Sequence, residues 1–197
     1  NGMASGFAIP VAQRFGAKDE QGLKLAIANS VYLGIALSVI LTLIVTTLCR
    51  PLLVFLNTPS DIIEGTYSYL IVILWGIPIT FFYNLFSGFM RSLGDSKTPV
   101  LFLVMASIIN IVLDYAFIAG LGTGVEGAAY ATVISQLLAA VLSAVYMLKK
   151  YAVVRMTKTE RRKDFQCMMQ LLYMGLPMGM QYSITAIGAV ILQTAVN

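Results

Sequence analysis

Asp114 is the only charged side chain between Lys97 and Glu126, and it lies within the apolar run INIVLDYAFIAGLGTG (Ile109–Gly124). An ionised aspartate at a bilayer centre costs about 2.5–3.5 kcal/mol on insertion scales, so one that is kept there has either a structural partner or a task. Ser107, Asn110 and Asp114 stand at i, i+3 and i+7, which is one face of a helix. The next apolar segment carries Thr132, Gln136 and Ser143 at helical spacing, with Ser135 beside them. A carboxylate, an amide and a hydroxyl brought to one level form a hard-oxygen set, which suits Na⁺ or a proton and suits no soft metal. Asp114 reads as functional on this basis. The alternative is a structural aspartate that hydrogen-bonds a helix end or joins two helices. Thr132 taken alone reads as a hydroxyl bonded to its own helix backbone, and Asn110 falls between the two.

The rest of the composition sets the medium in which such a cluster would work. Of 197 residues, 58% are hydrophobic and 11% charged, with a mean hydropathy of +0.83. Soluble domains carry about a quarter charged residues, so this chain is expected to live in a membrane. It has no histidine, and its two cysteines, Cys49 and Cys167, are far apart in sequence. Most zinc sites, Ser–His and Cys–His nucleophile pairs and a disulfide framework are thereby excluded, and no enzyme is expected. The glycines of AGLGTGVEG (Ala119–Gly127) follow no strand and mark a turn, so nothing here cradles a nucleotide phosphate. The chain opens on NGMASGFAIPVAQRF and closes on GAVILQTAVN, both apolar, and reads as a piece of a longer protein.

Elements long enough to position the cluster follow from the uncharged windows. Leu25–Cys49 holds 25 uncharged residues, Gly65–Met90 holds 26, Gly127–Leu148 holds 22 and Phe165–Asn197 holds 33. Thr98–Val125 holds 28, with Asp114 its only charge. About 20 apolar residues span a bilayer as a helix, so five spans are expected, with Asn1–Gln13 as the end of one before them. Windows of this length without two-residue alternation exclude a β-barrel. The fold class is an all-α polytopic membrane protein. Alternating the connections puts 12 of 13 Lys and Arg on one side, leaving only Arg50 on the other. That side should be the cytoplasm of a plasma-membrane protein. The run Lys149–Lys163 reads as a solvated loop near anionic lipid, not a nucleic-acid site. Cys49 and Cys167 then end up on opposite faces and cannot pair.

Depth follows from the helical rise. Asp114 stands about 16 residues, or roughly 24 Å, from the cytoplasmic edge, and Thr132 about five residues, or roughly 8 Å, below the outer one. Both are expected at one level. Pro78 and Pro177 lie within spans and should kink or break the local hydrogen-bond ladder, as hinges do. Gly124, Ala128 and Thr132, and separately Gly127 and Ala131, are four apart, which favours close helix packing. Tyr32, Tyr67, Tyr69, Tyr115 and Tyr151 fall near span ends, as interfacial aromatics do. The ten methionines read as packing or lipid-facing filler. The echo of RFGAKD (Arg14–Asp19) in RSLGDSK (Arg91–Lys97) is too short to define a repeat.

Four motifs come in an order and spacing that resemble the multidrug and toxic compound extrusion (MATE) family: GFMRSLGDSKTP (Gly88–Pro99), NIVLDYAFI (Asn110–Ile118), GVEGAAYATVISQ (Gly124–Gln136) and GLPMGMQ (Gly175–Gln181). VAQRFGAKD (Val11–Asp19) resembles the end of that family's second helix. The resemblance implies a MATE-like helical bundle, here a fragment of a twelve-helix, two-lobe transporter. Residues 1–150 would be an incomplete N-terminal lobe from the end of helix two to helix six. Residues 151–166 would be a cytoplasmic interlobe linker, and 167–197 the first helix of the C-terminal lobe. By the family's N-lobe pattern, Asn110, Asp114, Thr132 and Tyr69 would couple to the cation, with Na⁺ held at Asp114, Asn110 and Thr132. The acid that the family's other branch carries after the Gly-Leu-Pro is missing from GLPMGMQYSITAIG, so the N-lobe is the candidate.

The function implied is a secondary active multidrug efflux antiporter that exchanges organic, often cationic, compounds for Na⁺ or H⁺. Cation binding would neutralise Asp114 and favour one of two states of the lobes. No cofactor, nucleic acid or obligatory protein partner is expected beyond small-molecule drugs, the coupling ion and the bilayer. The rivals are a lipid-linked oligosaccharide flippase of a related fold and a non-transporting membrane scaffold. The flippase would need Arg or Lys lining a cavity to hold pyrophosphate, whereas the basic residues here are assigned to span ends.

Overall fold

A computed structural model describes residues 2–56, 58–156 and 162–196. All regular structure among them is helical. In chain order it runs α1 (Gly2–Gly16), α2 (Glu20–Phe55), α3 (Ile63–Trp75), α4 (Ile77–Ser92), α5 (Lys97–Tyr115), a π-helical turn (Ala116–Gly120), α6 (Gly124–Lys150), a 3₁₀ turn (Ala152–Val154) and α7 (Phe165–Val196). Four helical stretches among the described residues are long and apolar enough to cross a membrane: Glu20–Phe55, Ile63–Ser92, Lys97–Gly120 and Gly124–Lys150. The fifth expected crossing forms as one helix, α7, but is not among those four.

The span expected over Gly65–Met90 is two helices. The chain breaks at Gly76, whose amide bonds back to the carbonyls of Val72, Ile73 and Leu74. Pro78 has no N–H to offer Leu74 and disfavours helical geometry at Ile77, so the ladder cannot run through. The expected break at Pro78 is therefore present. At Pro177 no break is made, and α7 continues past it as Pro10 and Pro51 are passed in α1 and α2. A single missing bond is tolerated within a long membrane helix. Helix α7 starts at Phe165, where its uncharged window begins, and Asp164 caps it: the Cys167 amide donates to Asp164 Oδ1 at 2.8 Å. Of the expected linker 151–166, residues 157–161 lie outside the described residues.

The chain divides into two compact units, Asn1–Leu33 with Asn84–Asp95 and Met147–Asn197, and Gly34–Tyr83 with Ser96–Tyr146. In the first unit α1 packs on α7 through glycines on both helices. A Cβ on Gly2 would stand 2.5 Å from Met178 O, one on Gly6 2.6 Å from Gly175 Cα, and one on Gly175 2.5 Å from Cε1 of the buried Phe7. Gly2 and Gly6, and Gly175 and Gly179, are each four apart, the small-residue spacing that lets backbones approach.

The sequence echo has a structural counterpart within this unit. After α1 and after α4 the chain makes the same helix-ending turn. Asp19 N bonds to Arg14 O at 3.0 Å and Asp95 N to Met90 O at 2.9 Å, and a left-handed residue precedes each aspartate, Lys18 (φ 56°) and Gly94 (φ 89°). This is a Schellman closure repeated at two hairpins. Asp19 then caps α2 through the Gly22 amide at 2.9 Å, while Asp95 takes Lys150 Nζ at 2.7 Å and the Tyr151 hydroxyl at 3.3 Å. Three of the five end-of-span tyrosines hold a cation over the ring, at 5.5–5.6 Å: Arg50 on Tyr67, Lys150 on Tyr151 and Lys163 on Tyr32.

Candidate cation site

The second unit holds the polar residues of α3 to α6. Asp114 stands in the last turn of α5, two residues before the π turn, where Leu121 N bonds five residues back to Ala116 O at 3.0 Å. π-helical turns are rare and concentrate at functional sites. Asp114 is half-buried, and its Oδ1 is fully buried with no hydrogen-bond partner among the described residues. An unpaired carboxylate oxygen in an apolar setting is costly, and a bound cation would relieve that cost.

Asn110 lies one turn earlier on α5. Its amide nitrogen donates to Thr132 Oγ1 on α6 at 3.5 Å, the outer limit of a hydrogen bond. Thr132 Oγ1 itself donates to Ala128 O at 2.9 Å, so one of its two lone pairs stays available. Three oxygens, from a carboxylate, an amide and a hydroxyl, thus lie within two turns of α5 and the facing stretch of α6. Their chemistry fits a hard monovalent cation. No set of three His, Cys, Asp or Glu capable of holding a metal occurs among the described residues.

Thr132 makes its contact across to α5 with Asn110. Helix α6 begins at Gly124, three residues before the uncharged window, with Glu126 in its first turn, where an acid complements the helix dipole. Thr132 is therefore about eight residues, or roughly 12 Å, into its helix.

The other expected members disperse. Ser107 is exposed and donates to Leu103 O, and Ser135 donates to Thr132 O. Ser143 is fully buried, its hydroxyl without a hydrogen-bond partner among the described residues. Tyr69 is half-buried on α3, with no hydrogen bond to Asn110, Asp114 or Thr132 among the described residues. Gln136 turns to α4 instead, where the Thr80 hydroxyl donates to its Oε1. Between them Val133 fills the break: a Cβ on Gly76 would stand 2.9 Å from Val133 Cγ2. Sequence reasoning missed the Thr80–Gln136 pair. Its signal was a threonine two residues after Pro78, at a helix start.

These helices and this polar set define a polytopic helical membrane protein with an acid inside the apolar layer. The MatE family model matches residues 1–116. The chain belongs to the MatE family. It is 30% identical over 203 residues to the Bacillus subtilis protein named "Probable multidrug resistance protein YoeA", covering 100% of this chain and 44% of that one. It is 26% identical to the "Multidrug export protein MepA" of Staphylococcus saprophyticus, covering 85% of this chain and 37% of the relative. A solved structure described as "MATE in the bent conformation" superposes with a TM-score of 0.90 at 29% identity, over 98% of this chain and 43% of that one. The chain thus spans less than half the length of the relatives it matches.

Proposed function

We propose that the chain is part of a secondary active multidrug efflux antiporter that exchanges organic, often cationic, compounds for Na⁺ or H⁺. The observation that carries this is the Oδ1 of Asp114, buried and without a hydrogen-bond partner among the described residues, one turn from the Asn110 that meets Thr132, in a chain of this family. Na⁺ or a proton at Asp114 satisfies that oxygen and removes its charge. The bundle then repacks at lower cost, and the drug leaves from the opposite state. Tyr69 of α3 completes the set on this reading, with Pro78, beside the break at Gly76, as a hinge. On the same reading the basic loops face the cytoplasm, residues 1–150 belong to the N-terminal lobe and α7 begins the C-terminal one.

The test is ethidium efflux from proteoliposomes that contain the full-length protein, under an imposed Na⁺ or proton gradient. Efflux driven by one of the two gradients is expected, and the gradient that suffices names the ion. A well-folded protein that moves no ethidium under either gradient, yet translocates a lipid-linked oligosaccharide, would replace this reading with the flippase.

A further inference from the structure

Asn29 is a fully buried amide on α2, and every hydrogen-bonding edge of it is engaged. Its nitrogen donates to Leu25 O at 2.8 Å and to Arg162 O at 3.1 Å, and its oxygen accepts the Asp164 amide at 2.9 Å. Two of the three bonds reach across more than 130 residues to the segment that starts α7. Arg14, at the end of α1, adds a second hold on that helix. It donates to Gln170 Oε1 at 3.0 Å and to Cys167 Sγ at 3.4 Å while anchored on Gly22 O at 2.8 Å. Lys163 stacks on Tyr32 beside them. The glycine seam continues the α1–α7 contact inward from this polar end.

We infer that Asn29 is the keystone of a polar latch that closes the cytoplasmic side of the transporter. This rests on the antiporter reading, which puts α7 in the second lobe and the ends of α1 and α2 at the cytoplasm. The two lobes can part on that side only if the start of α7 leaves α1 and α2. At this end of α7 the contacts are hydrogen bonds that water replaces on opening, so the latch can break and re-form in each cycle. Cys167, 4% exposed and under Arg14, lies behind the latch and is a built-in reporter of its opening.

The experiment is the alkylation rate of Cys167 by a membrane-impermeant maleimide. It uses the full-length protein with its other cysteines, Cys49 included, replaced by alanine, in inside-out vesicles. Labelling should be slow in the otherwise native protein and roughly tenfold faster or more in Asn29→Ala, which corresponds to about 1.4 kcal/mol of released closure. Asn29→Asp keeps an acceptor for the Asp164 amide but loses the donor to Arg162, and should label at an intermediate rate. It decides the matter where Asn29→Ala does not fold. Unchanged labelling in a folded variant overturns the latch. Faster labelling in a protein that pumps no drug leaves the latch standing and removes the antiporter reading instead.

Discussion

Adding one methyl group at Gly6 tests the α1–α7 seam most sharply. An alanine Cβ there would stand 2.6 Å from Gly175 Cα and 2.7 Å from Met174 O. Ordinary carbon contacts lie at about 3.5–4.0 Å, so the two backbones must separate by roughly 1 Å. The obstructing atoms are main chain and cannot rotate away. A gap of that size forfeits roughly a quarter to a half of the dispersion well of each contact it opens. Those contacts include Gly2 on Met178 and Phe7 on Gly175. Overpacking of this kind costs about 1–3 kcal/mol. Gly16→Ala on the same helix is the control, because a Cβ there meets no atom within 4 Å. It should be neutral or gain up to about 1 kcal/mol in backbone entropy. The assay is the thermal unfolding midpoint of the purified full-length protein in detergent for the two variants and wild type. A Gly6→Ala midpoint equal to that of wild type would show that the seam does not hold the helices at this distance.

The two Schellman turns predict substitutions of opposite sign. Lys18→Gly should raise the unfolding midpoint and Gly94→Ala lower it, each by about 1 kcal/mol of left-handed backbone strain, since a Cβ at Gly94 meets nothing else. Thr132→Val keeps the shape of the side chain and removes its oxygen. It should raise the ion concentration for half-maximal efflux roughly tenfold while leaving the unfolding midpoint near that of wild type, and an unmoved ion dependence would exclude Thr132 from the site. The Cys167 amide, assisted by Arg162, holds the Asp164 carboxyl below the ordinary value of 3.8. A depressed folded pKa stabilises above the unfolded value and ceases to do so as pH falls through the folded one. The midpoint gap between wild type and Asp164→Ala should therefore be constant from neutral pH down and close only below about pH 4.

The helices were legible because a bilayer demands long uncharged windows, and these fall where α2, α5 and α6 form. The break at Gly76 was legible in Pro78, since a missing N–H acts locally. Pro177 has the same chemistry without the break, because neighbouring turns carry the helix through. Asp114 was conspicuous as a lone charge. That Thr132 faces Asn110 was not legible, because the start of α6 at Gly124 and the π turn before it set its register, and periodicity reveals neither. Asn29 and the paired glycines of α1 and α7 were overlooked, since their partners lie well over a hundred residues away and only packing brings them together. The turn echo was visible yet undervalued, as a short motif gains meaning only when both copies end helices.

The central claim is that Asp114 couples the ion to the drug. Its most direct test compares ethidium efflux by wild type and Asp114→Asn in proteoliposomes, under the single gradient that drives the wild type. Loss of gradient-driven efflux in a variant that folds as wild type does is the predicted result. Equal pumping by both would make Asp114 a structural residue and place coupling elsewhere in the full-length protein.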